Sequence, residues 1–230
     1  MNGKMWHFKE LTSTNDYAIE HIDTLADRDI ILADIQTQGK GKQGRVWHSS
    51  NSNNVYMSIV LKENSNLARV LPKLTLFSAS MVAEFIEANY VQTLHQVQLR
   101  KPNDVLINHQ KIAGILADAS WMGNQPRYAI VGIGINLNMT PKELSFIDQA
   151  SSSLNLICGK AIHKESFVQL FIDYYFLHLN AFLSNSCSQD HGVSYFQRYE
   201  ESKLPDKCLF HTIPSNGHKT NKQYQLKTGE

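Results

Sequence analysis

The sequence is poor in the features that would place a protein outside the cell or in a membrane. Its 230 residues hold three cysteines, Cys158, Cys187 and Cys208. They are odd in number and form no C-x-x-C pair, so they read as reduced thiols of a cytosolic protein rather than as a disulfide framework. The N-terminal MNGKMWHFKE lacks the uninterrupted apolar stretch of a secretory signal, and no apolar run approaches the roughly 18 residues of a spanning helix. Charge of one sign is also missing. The 22 basic and 21 acidic residues leave a formal charge of +1, so no global field gathers nucleic acid or an anionic membrane. The ten histidines make no H-x-x-x-H or H-x-H pattern, which argues against a dedicated zinc site.

What remains is an ordinary globular composition, 42% hydrophobic and 19% charged, in a chain long enough for one main core plus a small appendage. Ser13 and its neighbours cap a predicted helix through DYAIEHIDTL. DIILADIQT and NVYMSIVL read as strands on either side of a glycine-rich loop. LPKLTLFSASMVAEFIEANY has helical spacing with a proline near its start. QVQLR, DVLIN and KIAGILADASW follow closely as strands, the last two forming a hairpin around Asn108-His109-Gln110. RYAIVGIGINLN is a further strand. Thr140 to Ser153 is a polar connection with a short helical turn. Lys164 to Leu183 is a strong helix, and Tyr195 to Glu200 is read as a further helical piece. CLFHTI and QYQLKTGE suit two strands of a small, incomplete β module. Strands that follow one another directly predict an α+β fold, a mixed sheet with helices packed on it. The expected division is a catalytic domain over 1–185 and a C-terminal segment over 186–230.

The loop GKGKQG, Gly39 to Gly44, is literally a G-x-G-x-x-G. A dinucleotide fold needs a helix directly after the third glycine, and RVWHSSNSNN has no helical period. A P-loop needs Lys-Ser/Thr after its second glycine, where this chain has Arg45-Val46. Two readings survive: a solvated surface loop, or a lid whose Lys40, Lys42 and Arg45 close over an anion. Asp104 and Lys111 begin consecutive hairpin strands, so pairing is expected to bring them together near Asn103, as a surface ion pair or as part of a site. In IVGIGINLN the positions Gly132, Gly134, Asn136 and Asn138 share one strand face. Glycines inside a strand mark a close approach to the backbone, whether by a flat ligand or by tight internal packing.

Taken in order, TSTND, QTQGKGKQGRVWHS, NVYMSIVL, KPNDVLINHQKIAGIL and GIGINLN resemble the successive motifs of biotin–protein ligases, and ASSSL at Ala150–Leu154 resembles that family's Ser-Leu ending. The resemblance implies a biotin–lipoate ligase fold, similar to class II aminoacyl-tRNA synthetases, with a largely antiparallel sheet. It implies a cytoplasmic enzyme that uses ATP and Mg²⁺ to make biotinyl-5′-AMP and passes biotin to a lysine of a biotin carboxyl carrier protein. Carried over residue by residue, Ser13, Thr14, Asn15, Gln36, Gly39, Lys40, Tyr56, Gly114 and Ile115 would line the biotin site. Lys42, Arg45, Trp47, Asn103 and Asn136 would face the adenylate. Lys111 would contact carboxylate and α-phosphate, and with Asp104 and Arg45 would carry the chemistry. The residues that would hold Mg²⁺ are not identified.

The chain departs from the family pattern in places. Lys40 and Lys42 stand where the family has arginines, which keeps charge but loses the two-pronged fork. Lys101 stands where KWPND has its Trp, leaving Arg100 in place of the family lysine. The chain begins almost at TSTND, so no DNA-binding domain is expected, and neither nucleic acid nor membrane is an expected partner. The competing readings are a lipoate–protein ligase or acyltransferase on the same fold, against which KIAGIL and GIGIN tilt, and a relative that binds biotin without ligating it.

Overall fold

The computed structural model of the protein describes residues 3–62, 66–91, 97–101 and 103–184. Its strands are β1 (Met5–Leu11), β2 (Ile30–Gln36), β3 (Val55–Lys62), β4 (Val97–Arg100), β5 (Asp104–Ile107), β6 (Gln110–Met122) and β7 (Gln125–Ile135). They form one seven-stranded sheet in the order β1-β2-β3-β7-β6-β5-β4. β1 and β2 are parallel and every other neighbouring pair is antiparallel. This is the mixed, largely antiparallel sheet that the order of motifs predicts.

Alternation along the strands divides the apolar residues between two layers. Ile30, Ile59 and Val131 face a large cluster with helices α2 (Leu67–Asn89) and α5 (Lys164–Leu183). Aromatic rings lock these helices together: Phe85 meets Phe167 edge-on at 5.3 Å, and Phe77 stacks on Phe182 at 4.2 Å. α5 occupies the predicted span, whereas α2 starts at Leu67, more than a turn ahead of Pro72. Ile31, Val60 and Ile130 face the other way, toward Ala18 of α1 (Thr14–Glu20) and Ile22 and Leu25 just beyond it.

β1 is not anticipated by the sequence reading. Its side chains alternate, and Trp6 and Phe8 pack against the α1 cluster. Two short helices, α3 (Pro141–Leu144) and α4 (Leu154–Cys158), complete the described residues. α3 opens on a reciprocal cap between Thr140 and Glu143, which turns the polar connection into a defined corner. The helical piece at Tyr195–Glu200, the strands CLFHTI and QYQLKTGE, Cys187 and Cys208 lie outside the described residues. Among the described residues, no helix is long and apolar enough to cross a membrane.

Candidate functional site

The face that carries α1 continues toward β6. Past Val60 and Ile130 it presents Ser58 and Tyr56 of β3, Gly132 and Gly134 of β7, and Gly114 of β6, all held side by side by the strand register. Between this face, the start of α1 and the glycine loop lies an open cavity.

One wall is a chain of neutral polar groups. Ser13 caps α1, its hydroxyl accepting the Asp16 N–H at 3.4 Å. Thr14 donates its backbone N–H to Gln36 Oε1 at 2.8 Å. Ser58 Oγ lies 2.6 Å from Asn15 Oδ1 and 2.8 Å from Thr14 Oγ1. Asn15 in turn donates to Asp118 Oδ2 at 2.7 Å. Asn15 crosses the sheet directly over Gly132, where a Cβ would come within 2.3 Å of its Oδ1. Any side chain at 132 would displace Asn15.

The glycine loop forms a narrow hairpin over the cavity. Trp47 donates its N–H to Gly39 O at 2.8 Å, and Gly41 donates to Arg45 O at 2.7 Å. The tip turns through Gln43 and Gly44, both at positive φ of 59° and 72°. Its three cations take different directions. Lys40 reaches outward to Asp16 at 2.6 Å. Arg45 is exposed, its Nε donating to Lys42 O at 3.3 Å. Lys42 lines the cavity, where burial pulls its ammonium below the usual lysine range while the Asp104 charge opposes that shift.

Trp47 lies flat beneath the hairpin. A Cβ on Gly114 would come within 2.8 Å of its ring and one on Gly134 within 2.5 Å. The two glycines therefore admit an indole of the protein itself. That indole has a buried Nε1–H with no partner among the described residues, and its ring centroid is 5.0 Å from Lys111 Nζ.

The far end of the cavity is built by β5 and β6. Asn108 and His109 turn the hairpin at positive φ of 50° and 67°, the two-residue geometry whose twist suits antiparallel strands. Pairing does not set Asp104 beside Lys111, as the sequence suggested. Asp104 lies opposite Gly114 and Lys111 opposite Leu106, with a register shift at Val105/Leu106. The irregularity sends both Ile112 and Ala113 into the core and leaves Lys111 and Gly114 on the cavity face. The Lys111 side chain then runs across Gly114, its Cε 3.3 Å from where a Cβ would stand. Its Nζ meets Asp104 Oδ1 at 2.8 Å. Arg100 holds the other carboxylate oxygen through Nη2 and Nε at 2.7 and 3.1 Å. The backbone of Lys111 is pinned as well. Its N–H donates to Ala150 O at 2.9 Å and its carbonyl accepts from Ser152 at 3.0 Å. The ASSSL motif thus serves as a brace for Lys111.

Most of the expected site residues line this cavity, but not all. Gly39 lies behind it, packed on the Trp47 carbonyl and Ser49. Asn136 is 3% exposed and donates to Ser152 O at 3.0 Å, so it supports the Lys111 brace rather than the cavity wall. Ile115 contributes its side chain to the core, while its carbonyl accepts from the Asn103 amide at 2.8 Å. Tyr56 reaches the cavity with its ring. Burial pushes its phenol up to about 12, with hydrogen bonds to Asn54 and Asn51 opposing. Ser58, Asp118 and Gln149 were not singled out from sequence. Asp118, a carboxylate inside a strand that otherwise favours β-branched and aromatic residues, was the one legible signal.

The cavity therefore has a cationic end at Lys111 and Lys42 and a neutral hydrogen-bonding end at Thr14 and Gln36, suited to an elongated ligand with an anionic tail. The model of the biotin/lipoate A/B protein ligase family matches residues 7–136, more than half of the chain. The chain belongs to that family. The bifunctional ligase/repressor BirA of Bacillus subtilis is 36% identical over 162 residues, 69% of this chain and 48% of that protein. The biotin–[acetyl-CoA-carboxylase] ligase of Mycobacterium tuberculosis is 28% identical over 146 residues, covering 63% and 52%. The chain spans about half the length of these curated relatives. Among solved structures, the biotin protein ligase from Aquifex aeolicus in complex with biotin and ATP superimposes with a TM-score of 0.63 at 26% identity, over 78% of this chain and 72% of that one. In this biotin/lipoate ligase-family chain the matched span runs from β1 through Asn136 and takes in the cavity from Ser13 to Gly134, while Gln149 and the ASSSL brace lie beyond it.

Proposed function

We propose that this protein activates biotin with ATP as biotinyl-5′-AMP and transfers the biotinyl group to one lysine of a biotin carboxyl carrier protein. The observation that carries this reading is Lys111, 7% exposed, fixed through its backbone on ASSSL and through its ammonium on Asp104 at the cationic end of the cavity. In the first step a carboxylate oxygen of biotin attacks the α-phosphorus, a C(O)O–P bond forms, and the bond to pyrophosphate breaks. Two anions must approach, and charge builds on the phosphoryl oxygens. A fixed cation offsets that repulsion, most strongly once water is excluded. Lys111 serves this role, with Lys42 and Arg45 on the hairpin above. Trp47 and Asn103 shape the adenylate end, and Asn136 acts indirectly by bracing Ser152.

In the second step the acceptor amine attacks the acyl carbon, an amide forms, and AMP leaves. A lysine with a pKa near ~10.4 must lose its proton first. Asp104 orients it: Oδ2 is taken by two N–H groups of Arg100, but Oδ1, engaged by Lys111, keeps a second lone pair for an incoming ammonium. No group of three or more His, Cys, Asp or Glu side chains converges among the described residues. Mg²⁺ would accordingly be held mainly by the ATP phosphates, neutralising their charge. The reading places the protein in the cytosol with its carrier.

Lipoate ligation is the other activity that the family name covers, and the Mycobacterium tuberculosis relative, named for biotin, and the Aquifex aeolicus structure with bound biotin favour biotin. Single-turnover transfer of labelled biotin to an apo carrier domain, with lipoate in parallel, is the test. Labelled carrier with biotin alone is expected. Adenylate formation without transfer would indicate a non-ligating relative, and transfer of lipoate would overturn the substrate.

A further inference from the structure

We infer that Lys42 is an internal acceptor of the activated acyl group, so that without a carrier the protein biotinylates its own glycine hairpin at this side chain. The inference rests on the biotin reading above and concerns where the acyl group goes when no carrier takes it.

The other cations around the cavity are committed. Lys40 Nζ lies 2.6 Å from Asp16 Oδ1. Arg100 and Lys111 share Asp104, at 2.7 and 2.8 Å. Arg45 donates to the Lys42 carbonyl through Nε and through its backbone N–H, both at 3.3 Å. Those two bonds fix the Lys42 backbone in the hairpin tip and leave its side chain to move. Among the described residues the Lys42 ammonium has no ion pair or hydrogen bond. It lines the cavity that holds Lys111, and also a second cavity shared with Asp16, Thr37 and Asp118.

Position and protonation both suit Lys42 to attack. It lies close enough to Asp104 for that carboxylate to act on its charge, and Asp104 is the group that orients the carrier lysine in the proposed transfer. Lys42 therefore approaches the same carboxylate as the incoming ammonium. Burial favours its neutral amine, with Asp104 opposing, and only the neutral amine has a lone pair for attack. An arginine at this position would keep its proton and could not act in this way.

With biotinyl-AMP in the cavity, the Lys42 ammonium first gives one proton to solvent. Its nitrogen then attacks the acyl carbon and an amide forms. The bond from that carbon to the phosphate oxygen breaks, AMP leaves, and the second proton goes to solvent. The step consumes nothing beyond biotin and ATP. Because nucleophile and mixed anhydride share one cavity, it is unimolecular and needs no encounter. The amide also removes a positive charge from the hairpin, so the self-labelled chain has one cation fewer facing the adenylate. Lys40, turned to Asp16, and Lys111, held on Asp104, are not acceptors.

The test incubates the full chain with biotin, ATP and Mg²⁺ but no carrier, and in a second arm with preformed biotinyl-AMP, followed by intact mass and peptide mapping. One biotinyl group per chain is expected, on Lys42, at a first-order rate that does not change when the protein is diluted. Lys42→Arg, which keeps the charge and removes the nucleophile, should lower this labelling at least about tenfold. Asp104→Asn should slow self-labelling from preformed biotinyl-AMP together with transfer to the carrier, and melting curves should show both variants folded. Added apo carrier should suppress the label. Label spread over exposed lysines, or a rate that falls with dilution, would overturn the inference alone. So would an unlabelled chain that makes biotinyl-AMP and biotinylates an added carrier. Mapping on the unaltered chain gives these results even where a variant fails to fold. A chain that forms no biotinyl-AMP would overturn the proposed function together with the inference.

Discussion

Replacing Lys111 by Ala should slow biotinyl-AMP formation by about 10²–10³-fold, the loss typical of one preorganised electrostatic donor. The structure allows an independent calculation. An ammonium about 4 Å from a developing charge, at the effective dielectric of a partly enclosed site, contributes ~4 kcal/mol. At 1.36 kcal/mol per tenfold, that sets an upper bound near ~10³ in rate. The same substitution should leave the fold intact. Asp104 keeps Arg100 at 2.7 and 3.1 Å, so its buried carboxylate is not orphaned, and the cost should fall well below the ~3–5 kcal/mol of an unpaired buried charge. The assay is rapid-quench formation of labelled biotinyl-AMP at saturating biotin and ATP, with a melting curve on the same sample. Near-normal adenylation would refute the role of Lys111. A lost rate accompanied by a lost fold would refute the claim that Arg100 suffices for Asp104.

Three further perturbations follow from the same geometry. Asp104→Asn should impair transfer to the carrier lysine more than adenylation, measured as separate single-turnover steps; loss of adenylation with normal transfer would contradict the orienting role. Because burial lowers the pKa of Lys42, its ammonium is lost at a lower pH than an ordinary lysine of ~10.4. Retention of biotinyl-AMP should therefore weaken as pH rises through that lowered value. Lys42→Arg should abolish that alkaline limb, and off-rates of labelled adenylate against pH check both. His109→Gly should raise stability by about 1 kcal/mol, since a side chain at φ 67° is strained where glycine is not, and urea unfolding would show it as a higher midpoint with an unchanged slope.

The elements that could be read from sequence are those whose periodicity is undiluted. α5 matches its expected span, and β7 shows its alternation openly, with Val131, Ile133 and Ile135 in the core and Leu137 continuing it just past the strand's end. β1 was missed because Met5, His7, Lys9 and Glu10 are exposed and only Trp6, Phe8 and Leu11 carry the buried side, a weak signal for an edge strand. The site was legible as a set of residue types but not as an arrangement. The glycines at 132 and 134 were read as marking a close approach, which is right. What approaches is Asn15 and Trp47, and a sequence cannot distinguish a ligand from a distant side chain. The link between Lys111 and Asp104 was expected from hairpin pairing, yet it arises from a register irregularity and a long side chain laid over Gly114. Ile112 and Ala113, two apolar residues in succession, are the only trace of that irregularity in the sequence. The polar wall was invisible because its members come from α1, β2, β3 and β6, and only the fold assembles them.

The most direct test of the account is biotin-dependent exchange between ATP and pyrophosphate, run with lipoate as the control. The cavity, with Lys111 at one end and the Thr14 wall at the other, predicts exchange that requires biotin and does not proceed with lipoate. No exchange with biotin, or exchange driven by lipoate, would contradict the account.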